Sequence, residues 1–127
     1  MSRTGTHGRR TLGEAGERLA LAHLGRLGFA LVARNHRTRW GELDLVVFDG
    51  RTLVFVEVKA RRASARAGTA LEAVSTAKQR QVRKMAAAWL TDVEDRPRSA
   101  ELRFDVIGVT VDARGDLVRL DHLEGAF

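Results

Sequence analysis

Residues 52–60, TLVFVEVKA, constrain this chain more than any other stretch. The run is almost wholly apolar until Glu57, with no polar face, which is the pattern of a strand covered on both sides and therefore central in its sheet. Asp49-Gly50 stands just before it as a hairpin signal, and residues 43–48 supply the preceding strand. A chain with this core must build a sheet around it. That sheet carries Glu57 and Lys59 where a buried strand would otherwise hold apolar side chains.

The other elements fall around that centre. Thr11 followed by Glu14 forms a capping box for a helix running to about Arg26, and Gly28 ends it. On that helix Gly13, Glu17, Ala20, Leu21, Leu24 and Leu27 share one side, so Glu17 is a carboxylate on a mostly apolar stripe. Residues 29–33 read as a short strand and residues 61–71 as an exposed loop. Ser75 or Thr76 caps a second helix to about Leu90, with Val82, Met85, Ala86 and Trp89 on one side. Strands at 102–111 and 117–123 close the chain. The expected fold class is α/β, in the order α-β-β-β-α-β-β, built around one central sheet. Residues 1–10 are expected to be a flexible basic arm and residues 11–127 a single domain.

Composition narrows the function. The 127 residues contain no cysteine, which excludes a disulfide scaffold, a thiolate metal site and a cysteine nucleophile. No apolar run approaches a membrane span, and the first residues lack the apolar core of a secretory signal, so a cytoplasmic location without membrane contact is expected. Net charge is +6 and is unevenly distributed: residues 1–41 carry +6, 42–50 carry −3, 51–90 carry +7 and 91–127 carry −4. A basic chain interrupted by one acidic segment points to a polyanionic partner, nucleic acid first.

The acidic interruption sits where chemistry can be built. If Asp49-Gly50 is the whole hairpin loop, Asp44 faces Phe55 and Glu42 faces Glu57. Glu42, Asp44, Glu57 and Lys59 then project from one side, with Asp44 and Glu57 diagonal neighbours at about 7–8 Å. A four-residue loop keeps this parity; a three-residue loop reverses Asp44. Facing carboxylates repel unless a cation neutralises them. Mg²⁺ (or Mn²⁺) suits carboxylate oxygens from Asp44 and Glu57, the Val58 carbonyl and water. Lys59 would then orient or deprotonate a water, or stabilise charge developing on a phosphorus centre. Only three of the 22 basic residues are lysines, so a lysine on the central strand stands out. The competing reading is an ordinary charged pair at a strand end.

Asp44 followed by Glu57-Val58-Lys59 resembles the PD-(D/E)XK nuclease superfamily, which implies the restriction-endonuclease-like fold, one central mixed sheet flanked by helices. A wider set of segments is similar to the YraN-type bacterial branch: Gly13-x-x-Gly16-Glu17, Arg34-Asn35, Gly41-Glu42-Leu43-Asp44-Leu45, Phe55 to Lys59, Lys78-Gln79-Arg80, Arg103 to Ile107 and the terminal His122 to Phe127. That branch resembles archaeal Holliday-junction resolvases. The resemblance implies a metal-dependent DNA endonuclease, acting on branched or single-stranded DNA, with a homodimer implied by analogy alone. It implies that Glu17 helps to hold or orient metal, that Asp44 and Glu57 ligate it, and that Lys59 serves the attacking water. Leu43 stands where the superfamily motif has proline.

Basic residues flanking the acids are the candidate DNA contacts. Arg37 and Arg39 precede the acidic strand, Arg61, Arg62 and Arg66 follow Lys59, and Lys78, Gln79 and Arg80 open the second helix, where phosphate contact competes with a merely solvated face. Gln79 is also placed to reach the water beside the metal. Trp40 is read as core or hairpin packing ahead of base stacking, and Trp89 as core. His7, His23 and His122 lack ligand spacing. Asp105, in an apolar strand, supports the site or pairs with an arginine. Two rival functions remain: an accessory protein that binds nucleic acid without cutting it, and a small basic scaffold associated with ribosomes.

Overall fold

The computed structural model describes residues 8–63 and 74–127. Helix α1 spans Gly8–Arg26, and strands β1, β2 and β3 span Ala30–Thr38, Gly41–Phe48 and Thr52–Arg62. Helix α2 covers Thr76–Asp92, and β4 and β5 cover Glu101–Val111 and Leu117–Leu123. The order α-β-β-β-α-β-β is the expected one. The five strands lie in chain order in one mixed sheet. All neighbours are antiparallel except β3 and β4, which run parallel in unbroken register from Thr52↔Glu101 to Arg62↔Val111. A parallel pair needs a long crossover, and α2 lies within it.

β3 is the middle strand, as its apolar run requires, and its two faces feed two separate cores. Val54 and Val56 pack with Ala20 and Leu24 of α1 and with Leu45, Val47 and Ile107. Leu53 and Phe55 pack with Val82, Met85, Ala86 and Trp89 of α2 and with Leu43 and Val46. The helices therefore cover opposite faces. Trp89 is core as expected, meeting Phe55 edge-on at 5.8 Å between ring centres. Gly16 brings α1 down onto β3. A β-carbon there would lie 2.6 Å from that of Ala60, so only glycine permits this approach.

Several boundaries differ from the sequence reading. α1 begins at Gly8, so three residues assigned to the arm are helical and Thr11 lies inside the helix rather than at its cap. Residues 1–7, with His7, fall outside the described residues. β1 runs on to Thr38 because it has the whole of β2 to pair with. Arg61 and Arg62 are the last residues of β3, not loop, because β4 extends alongside them. Most of the expected loop, with Arg66, falls outside the described residues. Ser75 caps α2, its hydroxyl accepting the Lys78 N–H at 3.1 Å.

The hairpin loop has four residues, not two: the last pair is Phe48↔Leu53. The Asp49 carboxylate accepts the N–H groups of Arg51 and Thr52 at 2.9 and 2.8 Å, closing the turn from inside. The register moves by two, so Val46 rather than Asp44 faces Phe55. Parity survives, and with it the placing of Asp44 beside Glu57.

Candidate metal centre

β2 parts from β3 at Asp44. Leu43 packs with Val46 on the α2 face while Leu45 and Val47 pack on the α1 face, so the regular alternation breaks at this residue. Ladder pairing stops at Leu45↔Val56. In its place Asp44 Oδ2 accepts the Val58 N–H at 2.8 Å, which fixes the carboxylate against β3. Burial and the neighbouring Glu57 push the Asp44 carboxyl up to about 7, the Val58 N–H and Lys78 pulling against them and Glu17 adding to them. Asp44 thus has one oxygen bonded and too little positive charge around it.

Glu57 is 5% exposed and Lys59 is half-buried two residues along the same face. Among the described residues Lys59 makes no side-chain hydrogen bond or ion pair. Arg61 continues that face by alternation. Lys78 Nζ lies 3.3 Å from Glu57 Oε2, so this lysine from the first turn of α2 serves the acidic pair instead of standing free for phosphate. Glu17 is half-buried at the α1 side, and Asn35 Nδ2 donates to both its oxygens at 3.1 Å. Asn35 sits in β1 at φ 50°, a left-handed conformation that asparagine tolerates better than most residues. Asn35 has no assigned role in the sequence reading. Its signal there is an asparagine inside a strand, a residue depleted in sheets.

Glu42 does not join the group. It is exposed and opposite Arg37 on β1, because β2 pairs with β1, not β3, at that point. Arg37 and Arg39 are exposed near the β1–β2 turn, and Arg80 is exposed on α2. Gln79 is half-buried, and Arg62 donates to the Asp112 carbonyl at 3.2 Å. Arg83 lies over Phe104 at 4.9 Å.

No group of three or more His, Cys, Asp or Glu side chains is gathered as a metal cage among the described residues. What the fold brings together is narrower: Asp44, whose ionisation is disfavoured by burial and by Glu57, with Glu57 itself, Glu17 near and Lys78 as counter-cation. That donor set of hard oxygens without imidazole or thiolate fits Mg²⁺, which binds through one or two carboxylates and retains water.

Asp105 belongs elsewhere. It is fully buried and accepts two bonds from Arg103 (2.8 and 2.9 Å), one from His122 Nε2 (2.8 Å) and one from the Gly125 N–H (2.9 Å). His122 Nδ1 in turn lies 3.0 Å from His23 Nε2 on α1. These groups tie the C-terminal segment and α1 to β4, so both histidines are structural.

Among the described residues no helix is long and apolar enough to cross a membrane. The profile of the uncharacterised protein family UPF0102 matches residues 16–109. A UPF0102 protein of Geobacter sulfurreducens is 46% identical over 123 residues, covering 97% of this chain and 93% of its own length. Another, from Chlorobium chlorochromatii, is 44% identical over 120 residues, covering 91% and 90%. A third, from Frankia casuarinae, is 46% identical over 117 residues, covering 91% and 95%. The matched span takes in Glu17, Asp44, Glu57, Lys59 and Lys78, and the chain belongs to the uncharacterised protein family UPF0102.

Proposed function

We propose that this protein is a divalent-metal-dependent endonuclease acting on DNA, of the PD-(D/E)XK kind that its motif resembles. The observation that carries the reading is the break in the β2–β3 ladder. It turns a structural hydrogen bond into a mount for Asp44 and leaves one of its oxygens beside Glu57. A bound Mg²⁺ would supply Lewis acidity towards the scissile phosphate and a more acidic water at neutral pH. Asp44, Glu57 and the Val58 carbonyl would hold the ion. Lys78, now paired with Glu57, would turn towards phosphate once the carboxylates have another cation. Lys59, on the same face and without a protein partner among the described residues, would position the attacking water in line with the leaving oxygen and offset charge building on the phosphate. Glu17, held at both oxygens by Asn35, would orient the far side of the site. Nothing in the chain resembles a base-reading element, so selectivity would lie in DNA shape.

Linear, flap and four-way DNA incubated with Mg²⁺ or Mn²⁺ should be cut, with cleavage abolished by EDTA and by Lys59→Ala. Full cleavage by the Lys59→Ala protein rejects the assignment.

One observation favours a second reading. The Lys78–Glu57 ion pair already neutralises part of the acidic pair, as it would in an accessory protein that binds nucleic acid and has no need of metal. That protein would bind DNA with salt-sensitive affinity, show no metal-dependent hydrolysis, and gain no thermal stability from Mg²⁺ or Mn²⁺.

A further inference from the structure

Trp40 sits at the β1–β2 turn and is 38% exposed, whereas Trp89, the other tryptophan, is buried. The turn itself is tightly fixed. The Trp40 N–H donates to Thr38 Oγ1 at 3.1 Å, the Thr38 hydroxyl donates to the Gly41 carbonyl at 2.9 Å, and Gln81 Nε2 donates to the Trp40 carbonyl at 2.6 Å. Gly41 has φ 133°, a backbone conformation that other residues rarely adopt, and a β-carbon there would lie 2.7 Å from Gln81 Nε2. A backbone pinned on both sides thus presents an indole that the core does not use.

The indole lines a cavity of about 650 Å³ between this turn and the middle of α2. Ala87 and Ala88 contribute small apolar wall, and Arg37, Arg39 and Lys84 contribute positive charge against the single carboxylate of Asp92. The Arg39 guanidinium stacks on the Trp40 ring at 4.8 Å. Among the described residues none of these three cations has an ion-pair partner. A rigid aromatic, a small-residue wall and unpaired cations suit a ligand that is flat, aromatic and anionic. An unpaired nucleotide, whose base face is free to stack, has those three properties.

We propose that this cavity is a binding site for an unpaired base of a DNA strand, stacked on Trp40, with Arg37, Arg39 and Lys84 on its flanking phosphates. The site rests on the nuclease reading only for its purpose; its chemistry stands by itself. Lys84 follows Lys78 by six residues, about 9 Å along α2, or two to three nucleotides at about 3.4 Å each. A strand whose phosphate reaches the acidic pair would therefore have its unpaired base at Trp40, a geometry found at a flap or branch point and not in continuous duplex.

The test uses the full chain in EDTA, so that binding is read apart from cleavage. A short oligothymidylate should quench tryptophan emission, and Trp40→Ala should weaken its binding by about tenfold while changing affinity for a blunt duplex less than twofold. Trp40→Phe should restore most of the loss, since a benzene ring also stacks. Lys84→Ala provides a second variant on a different element. Single-strand affinity of Trp40→Ala equal to that of the parent overturns the proposal. So does quenching by duplex as strong as by single strand. A protein that binds oligothymidylate through Trp40 and never cuts DNA retains this site and loses the nuclease reading. One that cuts flaps and duplex alike, with Trp40→Ala unaffected, does the reverse.

Discussion

Asp44 is both anchored and electrostatically unsatisfied. Its folded pKa, pushed up to about 7, lies above the ordinary 3.8 because of burial first and Glu57 second. A carboxyl raised in the folded state contributes stability that is complete below 3.8 and is lost as pH rises through 7. In metal-free buffer, Asp44→Asn should therefore be more stable than the parent at pH 8, by an amount on the order of 1–3 kcal/mol, and the two should converge only below about pH 4. The amide oxygen can still accept the Val58 N–H, so the fold is kept while metal-dependent cleavage disappears. Thermal melts at both pH values, with Mn²⁺-dependent cleavage assayed beside them, check the two halves separately. Asp105 has the opposite sign. Burial pushes it up, but bonds from His122, Arg103 and the Gly125 N–H outweigh that and hold it below the usual range. Its contribution is present above the ordinary carboxylate range and fades as pH falls. Burial, His122 and Arg26 together lower His23, so acid also works against the His23–His122 contact. Asp105→Ala leaves Arg103 and His122 without their shared acceptor and should cost about 3–5 kcal/mol in urea unfolding at pH 7.

Gly16 shows at the scale of elements why Glu17 can take part at all. The helix meets β3 at the Ala60 β-carbon, and Glu17 is the next residue, carried to Asn35 by that contact. Gly16→Ala should destabilise the protein by about 1–3 kcal/mol through overpacking. Ala60→Gly in the same chain should recover part of that loss, because the clash is between those two atoms. A double-mutant cycle by urea unfolding measures the coupling, and strict additivity would place the strain elsewhere. The same elements show what sequence could carry. β3 was legible because burial on both faces leaves a pattern that needs no partner to interpret. The α2 core face, Val82 to Trp89, was legible from helical spacing. Asp44 keeps its place near Glu57 because two and four residues share a parity and because, where the alternation breaks, the Val58 N–H holds its carboxylate. What was hidden depended on contacts between distant segments. Lys78 reaches Glu57 only because α2 folds over β3. Asn35 holds Glu17 only because β1 runs past α1. For Trp40, nothing local says that Gln81 will grip its backbone or that the ring will be 38% exposed.

The sheet order sets two differently charged strands at its edges. Strands follow chain order, so β1, with Arg34 and Arg37 and no acid, forms one edge, and β5, with Arg119 and Asp121, forms the other. Arg37, Arg39 and Lys84 gather at the first edge; at the other, Arg119 is already paired with Asp121 at 2.9 Å. Such a field would draw DNA in along one side and orient it before any contact forms. Counterion release makes this measurable. Log affinity falls linearly with log salt, with a slope of about −0.7 per neutralised phosphate for single strands. Binding of oligothymidylate in EDTA, followed across salt concentrations, should lose about 0.7 of slope in Arg37→Ala and again in Lys84→Ala. Arg119→Ala removes the same formal charge from the opposite edge and should leave the slope unchanged. Equal losses for all three would mean that overall charge alone draws the strand. Unequal losses, confined to the β1 side, would trace the strand's path across α2 towards Lys78 and the acidic pair.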